Sequence, residues 1–171
     1  MSQWSRFYES RVNSSYQEYF ENKYSLLLCI LSRFNNVAEE GIGIGSISKF
    51  LSKKGIQTSG MDLCPQMLEL CRINNPGIVV QRGNIFTDVS QNEVVVTHGV
   101  LEHFSDEDIH IILKKYKTNK QKSIHYVPLI GHGKPSFGDE RLMESTHWLS
   151  KFKPDASIRF NQGKDLILIF N

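Results

Sequence analysis

Three glycines at alternate positions, in the stretch Glu39-Glu40-Gly41-Ile42-Gly43-Ile44-Gly45-Ser46, constrain this chain more than any other feature. Glycine accepts left-handed backbone without a Cβ penalty, so this spacing permits a tight turn whose amides approach a ligand closely. Before it, Val37-Ala38-Glu39-Glu40 reads as a strand, and after it residues 48–53 read as a helix. Strand, glycine turn and helix together describe a nucleotide-type site. Asp62 lies 62 minus 41, or 21, residues after the first glycine and ends a second strand over residues 55–62. A carboxylate placed there accepts hydrogen bonds from ribose hydroxyls. A dinucleotide fingerprint needs its third glycine at position 46, but Ser46 stands there.

The remaining chain continues the alternation of strand and helix. Residues 14–34 carry apolar and aromatic side chains at helical spacing and open the fold with an amphipathic helical segment. Pro65 suits the first turn of a helix through Met67, Leu68, Leu70 and Cys71, and Asn74-Asn75-Pro76-Gly77 breaks it. Residues 78–80 form a third strand. Residues 93–97, with three consecutive valines, form a strand buried on both faces and central in the sheet. Ser105 caps a helix whose apolar face is Ile109, Ile112, Leu113 and Tyr116, with acids in its first turn. A fifth strand covers 123–129, a further helix 141–152, and residues 156–160 and 166–170 close the sheet as an antiparallel pair. Strands alternating with helices predict an α/β fold: a three-layer αβα, doubly wound sheet, mostly parallel with an antiparallel C-terminal strand.

Composition bounds what such a fold can do. At 171 residues, 40% of them hydrophobic, the chain is expected to be a single domain that needs neither disulfides nor a metal. A net charge of +2 with interspersed signs makes nucleic acid an unexpected partner. Cys29, Cys64 and Cys71 are odd in number and lack a CxxC, which suits a reducing compartment and a cytoplasmic address. The first eleven residues lack signal-peptide blocks, and the longest apolar run, 26–31, is too short to span a membrane.

The acid-x-Gly-x-Gly-x-Gly pattern of Glu39 to Gly45 resembles the first motif of the class I S-adenosylmethionine-dependent methyltransferases. Gly60-Met61-Asp62-Leu63-Cys64-Pro65-Gln66-Met67-Leu68 is similar to that family's second-strand segment. Val95-Val96-Thr97-His98-Gly99-Val100-Leu101-Glu102-His103-Phe104 is similar to its fourth-strand segment ending in Leu-Glu-His. These stretches lie in order between residue 37 and about residue 116. Phe137-Gly138-Asp139-Glu140-Arg141 and Trp148 are reminiscent of small-molecule members.

The resemblance implies a Rossmann-like fold, S-adenosyl-L-methionine as cofactor with S-adenosyl-L-homocysteine as product, and roles for matching residues. Glu39 would orient the methionine amino group or an ordered water. Gly41, Gly43 and Gly45 would pass under the methionine and ribose, and Asp62 would take the ribose diol. Leu63 would flank the adenine. Asn84 and Ile85 occupy the position where the family has an acid and an apolar residue at the adenine edge; the amide oxygen of Asn84 can accept there but brings no charge. His98 and Gly99 would lie beside the methionine moiety. Arg11 would pair with the cofactor carboxylate, or with a surface acid.

Methyl transfer from a sulfonium releases a neutral leaving group, so alignment and desolvation can carry much of the catalysis. If the acceptor is a hydroxyl or ammonium, a histidine could take its proton; His98 and His103 are the catalytic candidates, with His132 next. No metal site is expected, because His98 and His103 are five apart and no cysteine lies near. The aromatic segment with Trp4, Phe7, Tyr8, Tyr16 and Tyr19 is either a lid or core packing. The expectation is one methyltransferase domain over 1–171, with 1–35 as a helical lid or packing segment, acting on a small molecule. The alternative is a non-catalytic S-adenosylmethionine-binding sensor or accessory subunit. With little chain left for substrate recognition, a homodimer or a completing partner is admissible.

Overall fold

In the computed structural model, residues 3–133 and 139–171 are described. Seven strands form one sheet in the order β3-β2-β1-β4-β5-β7-β6: β1 (Asn36–Glu40), β2 (Gln57–Asp62), β3 (Val79–Arg82), β4 (Val94–His98), β5 (Lys122–Pro128), β6 (Ala156–Phe160) and β7 (Asp165–Phe170). β7 pairs antiparallel with both β5 and β6, whereas β1 with β2 and β2 with β3 are parallel. This is the expected α/β sheet, and β4 is its fourth strand, with Val94, Val95, Val96 and Thr97 all buried. By its contacts the chain divides within β4 into two compact units, Met1–Val95 and Val96–Asn171.

The first unit begins with three helices, α1 (Gln3–Glu9), α2 (Ser14–Lys23) and α3 (Ser25–Leu31). The single helical segment expected over 14–34 is broken at Tyr24, whose φ of −108° and ψ of 22° leave the helix. Buried residues 17, 20, 24, 27, 28 and 31 keep helical spacing across the break, so periodicity could not reveal it. Asn13 caps α2 by accepting from the Tyr16 N–H at 2.8 Å. α4 (Ser46–Lys53) packs on β1 and β2, α5 (Pro65–Asn74) on β2 and β3, and α1 against α5. Ile47 and Leu51 of α4 are fully buried, each contributing about 1.5–3 kcal/mol by leaving water. Ile42, Leu68 and Cys71, joined by Ile78 and Val80, tie the glycine turn to α5 and β3.

The second unit holds a 3-10 turn (Leu101–His103), α6 (Asp106–Thr118), β5, α7 (Ser145–Phe152), β6, a 3-10 turn (Asn161–Gly163) and β7. Ser105 caps α6 as expected, accepting from the Asp108 N–H at 3.1 Å. The helix expected over 141–152 starts four residues late, at Ser145. Residue 141 is committed elsewhere: the Arg141 N–H donates to the Glu102 carbonyl at 2.9 Å, its Nη2 to Asp106 Oδ1 at 2.6 Å and its Nη1 to the Phe104 carbonyl. Trp148, Ile109, Ile112, Tyr116, Ile124 and Leu166 are buried in this unit.

Candidate active site

The glycine turn is tied to β2 before any ligand is considered. The N–H groups of Gly41 and Ile42 both donate to the Met61 carbonyl, at 2.9 and 3.0 Å. Gly41, Gly43 and Gly45 all have positive φ, at 71°, 56° and 71°. Alternate glycines are therefore required by the backbone itself. A Cβ on Gly45 would stand 2.7 Å from both Cys71 Sγ and Asn75 Nδ2, so α5 crosses against the turn at that point.

Two residues that the sequence marked only as helix breakers hold the turn. Asn74 Nδ2 donates to the Ile44 carbonyl at 2.9 Å, and Asn75 Nδ2 donates to the Ile44 and Gly45 carbonyls at 3.2 and 3.1 Å. Lys49 Nζ in turn donates to Asn74 Oδ1 at 2.7 Å. The Asn-Asn pair was legible as a turn signal, but nothing in its spacing pointed to carbonyls about thirty residues earlier.

Asp62, at the end of β2, accepts from the Gly43 N–H through Oδ2 at 3.1 Å and from the Cys64 N–H through Oδ1 at 2.9 Å. Burial raises its carboxyl above the ordinary value, against the lowering effect of the Cys64, Gly43 and Leu63 N–H groups. Leu63 follows with its side chain 61% exposed. Asn84 lies in the turn after β3, exposed, with Oδ1 accepting from the Phe86 N–H at 3.0 Å; Ile85 beside it is half-buried. The oxygen expected to meet an adenine amino group thus already serves an Asx turn, with one lone pair left.

Glu39 is buried, and its Oε2 accepts from the Ser48 hydroxyl at 2.7 Å and the Ser48 N–H at 3.2 Å. It therefore caps the first turn of α4, a role the sequence did not indicate. Desolvation pushes its carboxyl up to about 8 despite the Ser48 hydrogen bonds. The guanidinium of Arg11 lies 3.6 Å over the Phe7 ring and donates to the Phe7 carbonyl. Trp4, Phe7, Tyr8, Tyr16, Phe20 and Tyr24 form a continuous chain of ring contacts at 4.7–6.4 Å.

In the second unit, His98 ends β4 and stacks on Tyr126 with ring centroids 4.3 Å apart and planes within 13°. Gly99 has a φ of 66° and donates to the Tyr126 carbonyl at 3.2 Å. Glu102 of the Leu-Glu-His segment is buried, and its Oε2 has no hydrogen-bond partner among the described residues. Desolvation, with the charges of Glu140 and Asp139, raises its carboxyl to about 8. His103 Nδ1 stands 3.3 Å from Asp139 Oδ1. His125 is a core residue, its Nδ1 2.8 Å from Thr97 Oγ1 and its ring driven down to about 3 by burial. His132 and Asp165 meet at 2.5 Å, a contact 33 residues apart that no local pattern announces. Phe137 and Gly138, part of the segment reminiscent of small-molecule members, lie outside the described residues, as does Lys134.

Among the described residues, Cys29, Cys64 and Cys71 are thiols in no disulfide. Among the described residues no helix is long and apolar enough to cross a membrane.

Comparison with known proteins gives the same direction. Residues 38–118 match the family model described as a methyltransferase domain. No protein of curated function matches the sequence significantly. Among solved structures, the PH0226 protein from Pyrococcus horikoshii is similar with a TM-score of 0.74 and 15% identity, covering 94% of this chain and 92% of that one. Human N-acetylserotonin methyltransferase, solved in complex with S-adenosylmethionine, gives 0.70 at 15% identity, covering 98% of this chain and 56% of that one. A methyltransferase from Archaeoglobus fulgidus gives 0.67 at 13% identity, covering 98% and 99%. At such identities the likeness concerns the fold. Residues 38–118 thus carry the methyltransferase-domain sequence pattern, and the chain around them has the Rossmann-like fold of the S-adenosylmethionine-dependent methyltransferases.

Proposed function

We propose that the protein transfers a methyl group from S-adenosylmethionine to a small-molecule acceptor, acting as one methyltransferase domain with residues 1–35 as a lid or packing segment. The observation that carries this reading is the left-handed glycine turn hydrogen-bonded to Asp62 at the end of β2. The residues present fit the cofactor. Asp62 Oδ2 takes the Gly43 N–H and Oδ1 the Cys64 N–H, the Leu63 N–H also favours the carboxylate, and its remaining acceptor capacity is free for a ribose hydroxyl, while the exposed Leu63 offers an apolar flank for a base.

When bound, S-adenosylmethionine supplies an electrophilic methyl group on a positively charged sulfur. The chain's own residues bind and orient: Gly41, Gly43 and Gly45 allow close backbone approach, Asp62 takes the ribose hydroxyls, and Asn84 and Ile85 border the adenine. Glu39 holds the start of α4 through Ser48, keeping the turn in place. His98 and Gly99 would hold the methionine end, and Arg11, now over the Phe7 ring, would pair with its carboxylate or with a surface acid. The small-molecule preference is supported by a net charge of only +2 and by the likeness to N-acetylserotonin methyltransferase. His98 and His103 are the first acid-base candidates. Of these, His103 has an acidic partner, but Asp139 is 60% exposed, so water weakens that pair.

Calorimetry with S-adenosylhomocysteine, followed by tritiated methyl transfer to metabolite, protein and nucleic-acid pools, tests the reading. Label confined to protein or RNA rejects the small-molecule acceptor. Binding without turnover on any pool identifies a sensor instead.

A further inference from the structure

Where α2, α4 and α5 meet, wholly within the first unit, there is a cleft of about 470 Å³ that none of the residues assigned to the cofactor line. Its size falls in the range that small ligands occupy. Glu18 and Glu21 of α2 and Lys49 and Lys53 of α4 line it, so acids and bases balance. These charges do not consume one another. Lys53 Nζ stands 3.7 Å from Glu21 Oε1 with its own side chain 60% exposed, a pair that water weakens, and Glu18 is exposed. Lys49 Nζ gives one of its three N–H groups to Asn74 Oδ1 at 2.7 Å.

Gln17, only 4% exposed, also lines the cleft. Its Nε2 donates to Glu21 Oε1 at 2.8 Å and to the Ser46 carbonyl at 3.0 Å, while its Oε1 has no hydrogen-bond partner among the described residues. With the amide turned over, oxygen would face the oxygens of Glu21 and Ser46, so the orientation is set. A buried amide oxygen without a donor calls for one. Apolar surface stands beside these polar groups, with Val12 half-buried and Ile73 62% exposed. Gln17 and Asn74 also bond the carbonyls of Ser46 and Ile44, so the cleft backs onto the glycine turn.

We propose that this cleft binds a small zwitterion with an apolar side chain, the class of the apolar α-amino acids. The ammonium group lies against Gln17 Oε1 and the α2 carboxylates, the carboxylate against Lys49 and Lys53, and the side chain over Val12 and Ile73. A lone anion would meet Glu18 and Glu21, and a lone cation would meet Lys49 and Lys53; a zwitterion sets a complement against each pair. The 3.7 Å between Glu21 and Lys53 suits a ligand whose opposite charges sit on neighbouring groups. The site holds whether or not the methyltransferase reading does, because it uses none of the cofactor residues.

Amide spectra of the nitrogen-15-labelled full chain, titrated with L-valine, L-leucine and L-phenylalanine, test the proposal. The expected result is saturable shifts at residues 12–21, 49–53 and 73–74 with at least one of the three. The N-acetyl and the amide derivatives of that amino acid, each lacking one charge, should bind about ten-fold more weakly. Lys53→Gln and Glu18→Gln, both at exposed positions, should each weaken the amino acid about five-fold while S-adenosylhomocysteine affinity stays unchanged. No saturable shift with any of the three overturns the proposal, as does equal binding of either blocked derivative. Shifts confined to residues 41–45 and 62–63 place the amino acid at the cofactor turn and also overturn it, and so does unaltered binding in both variants. A parent that shows the expected shifts but binds no S-adenosylhomocysteine supports this site and overturns the methyltransferase reading alone.

Discussion

Asp62 Oδ2 accepts the backbone N–H of Gly43 at 3.1 Å, so the carboxylate proposed to take the ribose hydroxyls also shapes the glycine turn at the end of β2. Its other oxygen is steadied by Cys64, and burial keeps it short of solvent. Asp62→Ala is expected to weaken S-adenosylhomocysteine binding about 100-fold, roughly 3 kcal/mol for lost hydrogen bonds to a charged acceptor. Asp62→Asn, which keeps one acceptor, should lose less. Calorimetry that finds unchanged affinity in both variants would remove Asp62 from the site.

Gly45 has a φ of 71° and no room for a methyl group, whereas Gly55 has a φ of 79° with nothing within 4 Å of its missing Cβ. Gly55→Ala should therefore cost only the left-handed backbone term, about 1–2 kcal/mol. Gly45→Ala should cost clearly more, because Cys71 and Asn75 must move. Urea unfolding of the two variants separates the terms, and equal losses would show that α5 yields freely at Gly45.

Asn75→Ala removes one of two donors to the Gly45 carbonyl, which keeps the Lys49 N–H, while Asn74 still serves the Ile44 carbonyl. Because both carbonyls keep another donor, loss of the Asn75 hydrogen bonds should cost only about 0.5–1.5 kcal/mol and lower cofactor affinity by loosening the turn. Urea midpoint and calorimetry measure the two effects. A stability loss with affinity intact would mean the turn is held by β2 alone.

Glu102 has a carboxyl raised from 4.5 to about 8. Between those values the folded chain holds a proton that the unfolded chain has released, so stability falls as pH rises through that window. Glu102→Gln removes the titration and should raise stability at pH 9 relative to the parent, with little change at pH 5. Glu39, also at about 8, keeps part of the slope. Urea unfolding at both pH values checks this; a slope unchanged in the variant refutes the assignment.

The elements that local pattern controls were legible. Three consecutive valines marked β4 because a strand buried on both faces needs apolar residues on each. Ser105 and the acids after it marked the start of α6, since a helix N-terminus wants an oxygen on its free amides. The break at Tyr24 was not legible, because both helices bury the same periodic face. The late start of α7 was hidden too, since Arg141 before it is spent on Glu102, Phe104 and Asp106, about thirty-five to forty positions earlier.

Alternate glycines, an acid two positions before them and an acid ending the next strand were sufficient to mark the turn, because left-handed backbone needs glycine at each position and parallel pairing of β1 with β2 sets the end of the second strand beside it. Tertiary structure alone decided which groups hold that turn and which histidine has a buried carboxylate. Asn74 and Asn75 reach carbonyls 30 and 31 residues away, and Tyr126 and His132 converge on Asp165 from 39 and 33 residues away. Such partners are chosen by strand pairing and helix packing, and a polar group acquires a partner in the core only where the folded backbone brings one within hydrogen-bonding distance.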